Sequence, residues 1–341
     1  MKISVIIAAY KGEKYITEQL QSIFLQTCQP DEILIGDDSQ DNRMQYLIEK
    51  IAEDWHGRIL YFHNKKQLGH INNFFNLMSK ASGDLIFFSD QDDFWLPDKI
   101  SKMKQLYLCN QADVLFCDSY VCDKDLEHDK TTLFHYKQNR GRIIRAINQA
   151  GGFKDIILSK IMLSGHNMLC SKSMVKVFEK RPIIFPHYDH WLAIVAAAAG
   201  KLYLNDMPLT LYRRHDDNVS TLCQTKERTL KQYFNSTTSN DIIDSFEKYA
   251  ELRNALQQIS VFYPIKEENL NLLDDVVSYF QNRLLFRSKT FLRKIFSLSF
   301  RFIKQHFLYA SGIKSLVRDF IEIPCDQAEH DFIVKNKYFQ R

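Results

Sequence analysis

The chain has 341 residues, 45% of them hydrophobic and 13% aromatic, enough for one large domain or for one domain with an appendage. That composition excludes a disordered chain, and 45 basic against 41 acidic residues, a formal +4, is too mild to imply nucleic acid by itself. Seven cysteines form no C-x-x-C pair and lie in apolar surroundings such as Leu115-Phe116-Cys117, so they read as reduced core thiols of a cytosolic protein.

Met1-Lys2-Ile3-Ser4-Val5-Ile6-Ile7 is a short apolar run without a small-residue cleavage site, and reads as a first strand rather than a signal peptide. Residues 3–9 are continuously β-branched or small and apolar, the pattern of a central parallel strand buried on both faces. The run ends at Tyr10-Lys11-Gly12. Tyr15, Ile16, Leu20, Ile23 and Phe24 are spaced for a helix over 13–25. Strands follow at 32–36, ending in Asp37-Asp38-Ser39, and at 59–63 and 85–89. Helices over 44–55 and 71–80 separate them, the second opened by Gly69. This β-α-β-α-β-α-β order predicts a parallel sheet with helices on its faces. Neither a Gly-x-Gly-x-x-Gly turn nor a P-loop follows the first strand. Polar residues instead mark three strand ends: Tyr10, then Asp37 and Asp38, then Asp90, Asp92 and Asp93. Strand ends converging on one crevice predict a ligand site.

The last of these is the most informative. Leu85-Ile86-Phe87-Phe88-Ser89 is an apolar run that stops at Asp90-Gln91-Asp92-Asp93. A strand interior does not tolerate unpartnered carboxylates, so these belong at the carboxyl end of a parallel strand. Alternation predicts that Asp90 and Asp92 point the same way, which suits a divalent cation, and the cation in turn suits a diphosphate. The plainer reading is a solvated acidic turn before a helix opened by Pro97. The apolar run before it and Phe94-Trp95 after it argue against that.

A further strand is predicted at 113–118, then a polar segment through residue 139 that reads as a loop or lid, with His128 and His135 as solvated loop residues. A helix is predicted over 140–158. In the glycine-containing turn Leu163-Ser164-Gly165-His166-Asn167-Met168-Leu169, His166 either touches a ligand or caps the turn. Asp189 precedes a helix predicted over 192–199 and is a plausible N-cap. A strand is predicted at 201–204, and beyond it His215 lies beside arginines in Tyr212-Arg213-Arg214-His215, a surface basic cluster or a ligand. From residue 225 the pattern turns helical, over 231–262 and 267–286. From Arg283 to Arg318 no Asp or Glu occurs, and basic residues interleave with Leu284, Phe286, Phe291, Phe296, Phe300, Phe307 and others. That describes a membrane-surface helix, or equally a helix packed on the preceding domain with a basic outer face. No apolar run reaches the length of a membrane span, and no nucleic-acid-binding motif accompanies the charge.

Val5-Ile6-Ile7-Ala8-Ala9-Tyr10, Ile35-Gly36-Asp37-Asp38-Ser39-Gln40-Asp41 and Phe88-Ser89-Asp90-Gln91-Asp92-Asp93 resemble the three signatures of family 2 glycosyltransferases. Ser89-Asp90-Gln91-Asp92-Asp93-Phe94-Trp95 is similar to the bacterial rhamnosyltransferase-like branch. The resemblance covers residues 1–220 and departs at Ser39, where the family usually has Gly before Ser. It implies the GT-A fold: α/β, with a Rossmann-like mixed, mostly parallel sheet flanked by helices, here with a helical C-terminal extension. The catalytic domain would be 1–222, its nucleotide-binding half about 1–120 and its acceptor half about 121–222. Residues 223–341 would form a helical, basic amphipathic region.

The activity the resemblance implies is inverting, metal-dependent transfer of a hexosyl or rhamnosyl group from dTDP-rhamnose or a UDP-hexose. The acceptor would be a hydroxyl of a bacterial surface glycan (capsule, O-antigen or exopolysaccharide) on a lipid carrier. Ala8, Tyr10, Asp37, Asp38, Asp90, Gln91, Arg213 and Arg214 would bind the donor, and Asp92 and His215 a Mn2+ or Mg2+ ion. His166, Asn167 and Trp191 would meet the acceptor, Asp189 would be the general base, and Asp93 and Trp95 would support the site from behind. The enzyme would act in the cytoplasm, with peripheral contact to the inner face of the membrane through 283–318. Two alternatives stand beside it. A nucleotidyltransferase would want a Gly-rich basic loop after the first strand, of which Tyr10-Lys11-Gly12 is a thin version. A non-catalytic sugar-nucleotide-binding protein would leave Asp189 dispensable.

Overall fold

The computed structural model describes residues 1–53, 55–134, 144–145, 147–149, 152–158, 163–185, 187–216, 218, 239–287, 297–310, 315–316, 319 and 332. The chain divides into two compact units, residues 1–219 with 262–265, and residues 220–261 with 266–341.

In the first unit eight strands form one sheet. They are β1 (Ile3–Ala9), β2 (Glu32–Asp37), β3 (Arg58–His63), β4 (Leu85–Ser89), β5 (Phe94–Trp95), β6 (Val114–Cys122), β7 (Met168–Ser171) and β8 (Leu202–Arg213), in the spatial order β3-β2-β1-β4-β7-β6-β8-β5. The first four positions are parallel, as the β-α alternation predicts. β7 runs antiparallel to both β4 and β6, β8 runs parallel to β6, and β5 closes the edge antiparallel to β8. Every residue of β1 and of β4 is buried. Their apolar character on both faces is therefore a packing requirement, met by helices on either side. The helices of this unit are α1 (Ile16–Phe24), α2 (Arg43–Ala52), α3 (His70–Lys80), α4 (Lys99–Asn110), α5 (Phe153–Leu158), α6 (Met174–Glu179) and α7 (Tyr188–Ala199). On one face Val5, Ile7, Ile35 and Phe87 pack with Leu20, Ile23, Met44, Ile48 and Trp95 in a single cluster.

Three predicted elements come out differently, and one element is new. The strand expected at 201–204 continues to Arg213, because Asn205, Asp206 and Pro208, which look like a turn, are carried by an irregularity. The pairing with β6 shifts register between Phe116 and Ser119, where Asp118 lies opposite Pro208. A proline has no N–H for the ladder, and an irregularity absorbs that loss. β5 was not expected, since two residues are too few to carry a pattern. The helix placed at 192–199 begins at Tyr188. The single helix expected over 140–158 is interrupted at Gly152, whose φ of +62° is left-handed, and resumes as α5; residues 140–143, 146 and 150–151 lie outside the described residues. His135 and the end of the polar segment also lie outside them. Cys117, Cys122 and Cys170 are buried thiols as expected, but Cys28 is half-buried and Cys109 is exposed.

The second unit contains α8 (Ser239–Ile259), α9 (Glu267–Arg287) and α10 (Phe300–Tyr309), with Phe246, Val276, Tyr279, Leu284 and Phe302 in its core. The basic run from Arg283 to Arg318 is not one outward-facing surface. Arg283 and Arg287 are buried, 2.6 and 3.2 Å from the Asp319 carboxylate, and His306 lies 3.4 Å from the same group. Guanidinium groups enter a core only with a carboxylate to pair them. That carboxylate stands just past the acid-free stretch, so the run itself concealed it. Residues 288–296, 311–314 and 317–318 of the run lie outside the described residues.

Candidate active site

The carboxyl ends of β1, β2 and β4 come together at one rim. At the end of β1, Tyr10 is 43% exposed while Ala8 is almost covered. The Gln91 side chain clamps the Tyr10 backbone: its Oε1 accepts the Tyr10 N–H at 2.9 Å and its Nε2 donates to the Tyr10 carbonyl at 3.0 Å. Lys11, at φ +50°, donates its N–H to Ser39 Oγ at 2.8 Å. A Cβ at Gly12 would lie 2.2 Å from Gln91 Oε1, so that clamp requires glycine. Ser39, the residue that departs from the family signature, is thereby the tie between the first two strand ends.

At the end of β2, both carboxylates serve the fold. Asp37 is wholly buried and accepts from the Ser39 N–H at 2.8 Å and the Tyr61 hydroxyl at 2.6 Å. Asp38 accepts from Asn64 Nδ2, the Leu68 N–H and the Gly69 N–H at 2.8, 3.1 and 2.8 Å, fixing the chain that enters α3.

At the end of β4 the three aspartates diverge. The strand ends at Ser89, so its alternation does not extend to the residues beyond it, and Asp90 and Asp92 do not share one partner as expected. Asp92 Oδ2 lies 2.8 Å from His215 Nε2. Asp90 Oδ2 and Asp93 Oδ2 lie 3.7 and 3.8 Å from His166 Nδ1. Asp93 is fully buried; its Oδ1 accepts the Arg213 N–H at 3.3 Å, and its Oδ2 has no hydrogen-bond partner. Asp90, Asp93 and His166 each offer one atom within 4.8 Å of the others, the arrangement of a cation site.

Behind this cluster stands Lys99, at the start of α4 and wholly buried. Its Nζ donates to the His166 carbonyl and to Thr210 Oγ1, both at 2.8 Å, and lies 4.1 Å from the centre of the buried Trp95 ring. Burial pushes the Asp90 carboxyl up to about 7, with Asp92 and Asp189 adding to the rise and Lys99 opposing it. Burial, Asp92 and Asp90 push Asp93 well above the carboxylate range. Burial brings Lys99 down to about 8, against the neighbouring acidic groups. Burial and the Lys99 charge bring His166 down to about 3, so its imidazole is neutral at pH 7 and one ring nitrogen remains available as an acceptor or ligand. The ring lies flat on Tyr212, 4.9 Å away at 3°.

Asp189 is in the first turn of α7, but the N-cap residue is His187, and no side chain caps the helix. The N-cap reading of Asp189 is therefore displaced by two positions. Its Oδ1 accepts the His190 N–H at 2.7 Å, the Gly165 backbone also bonds it, and burial outweighs both and raises its carboxyl. Its place over the end of β4 is set by Tyr188, which stacks on Phe88 at 5.4 Å and 20°. A Cβ at Gly165 would meet the Tyr188 hydroxyl at 2.0 Å, so only glycine lets that helix start approach.

Arg213 is 3% exposed and already committed. Nε donates to the Asp92 carbonyl at 2.9 Å, Nη1 to the Lys124 carbonyl at 2.7 Å, and Nη2 to the Glu18 carboxylate. It is a strap across the site, and Arg214 is the exposed member of the pair. Trp191 is fully buried with Nε1 donating to the Val177 carbonyl at 2.9 Å, and Asn167 is buried with Nδ2 on Ser119 Oγ at 3.1 Å. Neither offers a surface to an acceptor; both hold the elements that carry Asp189 and His166. Trp95 is buried, with the Lys99 ammonium over its ring.

Three residues at the site escaped the sequence reading. Lys99 follows Pro97-Asp98 and looked like an ordinary residue in a helix's first turn. Tyr15 looked like a core position of α1, but its ring lies 4.7 Å from that of His215 and 4.6 Å from the Arg213 guanidinium. His70, at the start of α3, is near enough to Asp92 and Asp38 to feel their charges, though burial outweighs them and lowers its imidazole. A lysine within ten residues of an acidic strand end was the one signal available for the first; nothing marked the others.

The sequence profile described as glycosyl transferase family 2 matches residues 4–178. Glycosyltransferase GlyG of Streptococcus pneumoniae serotype 4 is 31% identical over 72% of this chain and 78% of its own. The UDP-Glc:alpha-D-GlcNAc-diphosphoundecaprenol beta-1,3-glucosyltransferase WfaP of Escherichia coli is 27% identical over 64% of this chain and 79% of its own. An uncharacterized glycosyltransferase of Nostoc sp. is 25% identical over 72% and 76%. Among solved structures, S. aureus TarS matches with a TM-score of 0.51 at 14% identity, covering 94% of this chain and 54% of TarS, a likeness of fold.

Proposed function

The chain belongs to glycosyl transferase family 2, and from that premise we propose that it is an inverting, metal-dependent transferase acting on a hydroxyl of a bacterial surface glycan. The observation that carries the reading is the raised, half-buried carboxylate of Asp189, whose charge acts on Asp90 at the mouth of the strand ends. An inverting transfer needs one base to take the acceptor proton on the side opposite the leaving diphosphate. Asp189 is held for that task by two backbone N–H groups and by the Tyr188–Phe88 stack, and its raised carboxyl makes it a stronger base than a solvated aspartate.

The residues fit a divalent cation. Asp92 and His215 supply a carboxylate and an imidazole, a donor pair suited to Mn2+ or Mg2+, and Asp90, Asp93 and His166 bring three further ligand atoms within 4.8 Å of one another. When bound, the ion would neutralise charge on the diphosphate oxygens. Tyr10, exposed beside the Gln91 clamp, offers its ring to a nucleobase. Asp90 stands at the adjoining strand end for the ribose, Arg214 is the exposed cation of the pair for phosphate, and Asp38 fixes the chain entering α3. Asp37, Asn167, Trp191 and Arg213 hold the frame.

The donor we propose first is dTDP-rhamnose, from the branch that residues 89–95 resemble, with UDP-hexoses next. The acceptor is a glycan on a lipid diphosphate, in keeping with the substrate in the name of the E. coli relative. The test is transfer by the purified full chain from radiolabelled UDP- and dTDP-sugars to a lipid-diphosphate sugar, with and without Mn2+. Metal-dependent transfer from one donor, absent in Asp189→Asn, is the expected result. Transfer undiminished in Asp189→Asn would overturn Asp189 as base, and no transfer or donor hydrolysis from any sugar nucleotide would overturn the substrate class.

A further inference from the structure

The α10 helix carries an unusual outer face. Phe300, Phe307 and Leu308 are 84%, 59% and 42% exposed. Single exposed apolar residues are ordinary on a surface, but several gathered on one short helix are not. At about 100° per residue, Phe307, Phe300, Lys304, Leu308 and Arg301 occupy a continuous arc of roughly 120°. The opposite arc is filled: Phe302 joins the core of the second unit, and His306, fully buried, accepts or donates a hydrogen bond with the Tyr279 hydroxyl at 3.1 Å. The helix is thus anchored by one side and presents large apolar side chains interleaved with cations on the other.

The charged residues on this face of the helix, Arg301 and Lys304, are both basic. Lys304 is exposed, and the Arg301 side chain remains 75% exposed while it donates to Asp275 at 2.8 Å. That carboxylate also accepts from Gln305 and from the Tyr309 hydroxyl, so it belongs to the inner flank of the helix. No Asp or Glu occurs anywhere from Arg283 to Arg318.

We propose that the outer face of α10 docks on the surface of an anionic lipid bilayer. Phe300, Phe307 and Leu308 enter the boundary between headgroups and acyl chains, while Lys304 and the open edge of Arg301 meet lipid phosphates. Membrane affinity of such a helix grows with buried apolar area and with cations facing anionic lipid, and this face supplies both. Charge also selects the occupant. A second copy of the chain meeting this face about a two-fold axis would set Arg301 and Lys304 against their own copies, whereas a bilayer of anionic lipids complements them. The binding is peripheral: among the described residues no helix is long and apolar enough to cross a membrane.

The test is co-sedimentation of the full chain with vesicles of phosphatidylcholine mixed with phosphatidylglycerol, and with phosphatidylcholine alone, without any sugar nucleotide. The wild type is expected to pellet with the anionic vesicles and to bind the neutral ones about tenfold more weakly. Phe300→Ser/Phe307→Ser/Leu308→Ser, made on exposed positions and checked for an unchanged melting curve, is expected to lose binding about tenfold. Lys304→Glu is expected to weaken binding and flatten its salt dependence, and it decides the matter alone if the triple variant fails to fold. Wild type remaining in the supernatant with both vesicles would overturn the proposal. So would a dimeric wild type that becomes monomeric in the triple variant, which would make the face an interface between copies. The assay involves no transfer, so its failure leaves the transferase reading standing, and the reverse holds too.

Discussion

His215 Nε2 and Asp92 Oδ2 meet at 2.8 Å across 123 residues of chain. The contact joins the residue just past β8 to the turn after β4, and Arg213 reinforces it by donating to the Asp92 carbonyl at 2.9 Å. Asp92 is in this way held at the mouth of the sheet rather than left to the mobility of an acidic turn.

If that pair holds the cation, Asp92→Ala abolishes the rise in melting temperature that a sugar nucleotide produces only with Mn2+. A ligand at a hundred times its Kd stabilises the native state by about 2.7 kcal/mol, a shift on the order of several degrees for a unit of this size. His215→Ala reduces the same shift. A full metal-dependent shift in Asp92→Ala would place the ion elsewhere, with Asp90, Asp93 and His166 next in line.

Asp189→Asn is expected to lower kcat by roughly 10²- to 10⁴-fold, the usual worth of a general base. Because Asp189 is not the N-cap of α7, its replacement should leave the melting temperature nearly unchanged. Its carboxyl is raised by burial, so the acid limb of kcat/KM against pH should lie above the ordinary carboxylate range, with activity rising as the base ionises. An acid limb at the position of a solvated aspartate would count against the assignment.

The acidic cluster makes the metal-free protein sensitive to base. The Asp90 carboxyl stands at about 7 in the fold against 3.8 for the free group. Between those values the native state holds a proton that the unfolded chain has released. The stabilisation is complete below the unfolded value and is lost as pH rises through the folded one, and Asp93 acts in the same direction. Melting temperature measured in EDTA should therefore fall between about pH 5 and pH 8, and Asp90→Asn should flatten the fall. Equal slopes in the two proteins would refute this.

Lys99→Met leaves Asp90 and Asp93 without the buried cation that opposes their rise. Removing one partner of a buried charged group costs about 3–5 kcal/mol, and here it also removes the tether on the His166 carbonyl. Urea denaturation should show that loss, and Lys99→Met/Asp93→Asn should recover part of it, since coupled neighbours are not additive. Strict additivity would mean that Lys99 serves the fold only through the His166 carbonyl, Thr210 and Trp95.

The expectation of a nucleotidyltransferase-type loop at Tyr10-Lys11-Gly12 fades for a structural reason: that turn is closed by Ser39 and by both ends of the Gln91 amide, which leaves no open cradle of N–H groups. Sequence alone pointed to the loop's composition and had no means of seeing what occupied it.

What the sequence determined by itself was the parallel half of the sheet and the strand ends that face the site. Residues 3–9 and 85–89 are almost wholly apolar because both faces of those strands are covered, and the carboxylates begin where the strands end. Local pattern suffices for that, since each strand's burial is written in its own residues. The tertiary structure decided what each polar residue does. Asp90 and Asp92 were expected to act together, yet one turns to His166 and the other to His215. Arg213 was expected to face a diphosphate and is locked by Glu18, Lys124 and Asp92. Lys99 gave no sign of being the buried cation of the cluster. Arg283 and Arg287 looked like a basic surface and were paired by Asp319. Apart from Lys99, whose acidic neighbours Asp90 and Asp93 are close in sequence, the partner is distant in the chain, from 32 residues for Arg287 to 195 for Arg213. A buried charge is defined by its counter-charge, and only folding brings the two within a few ångströms.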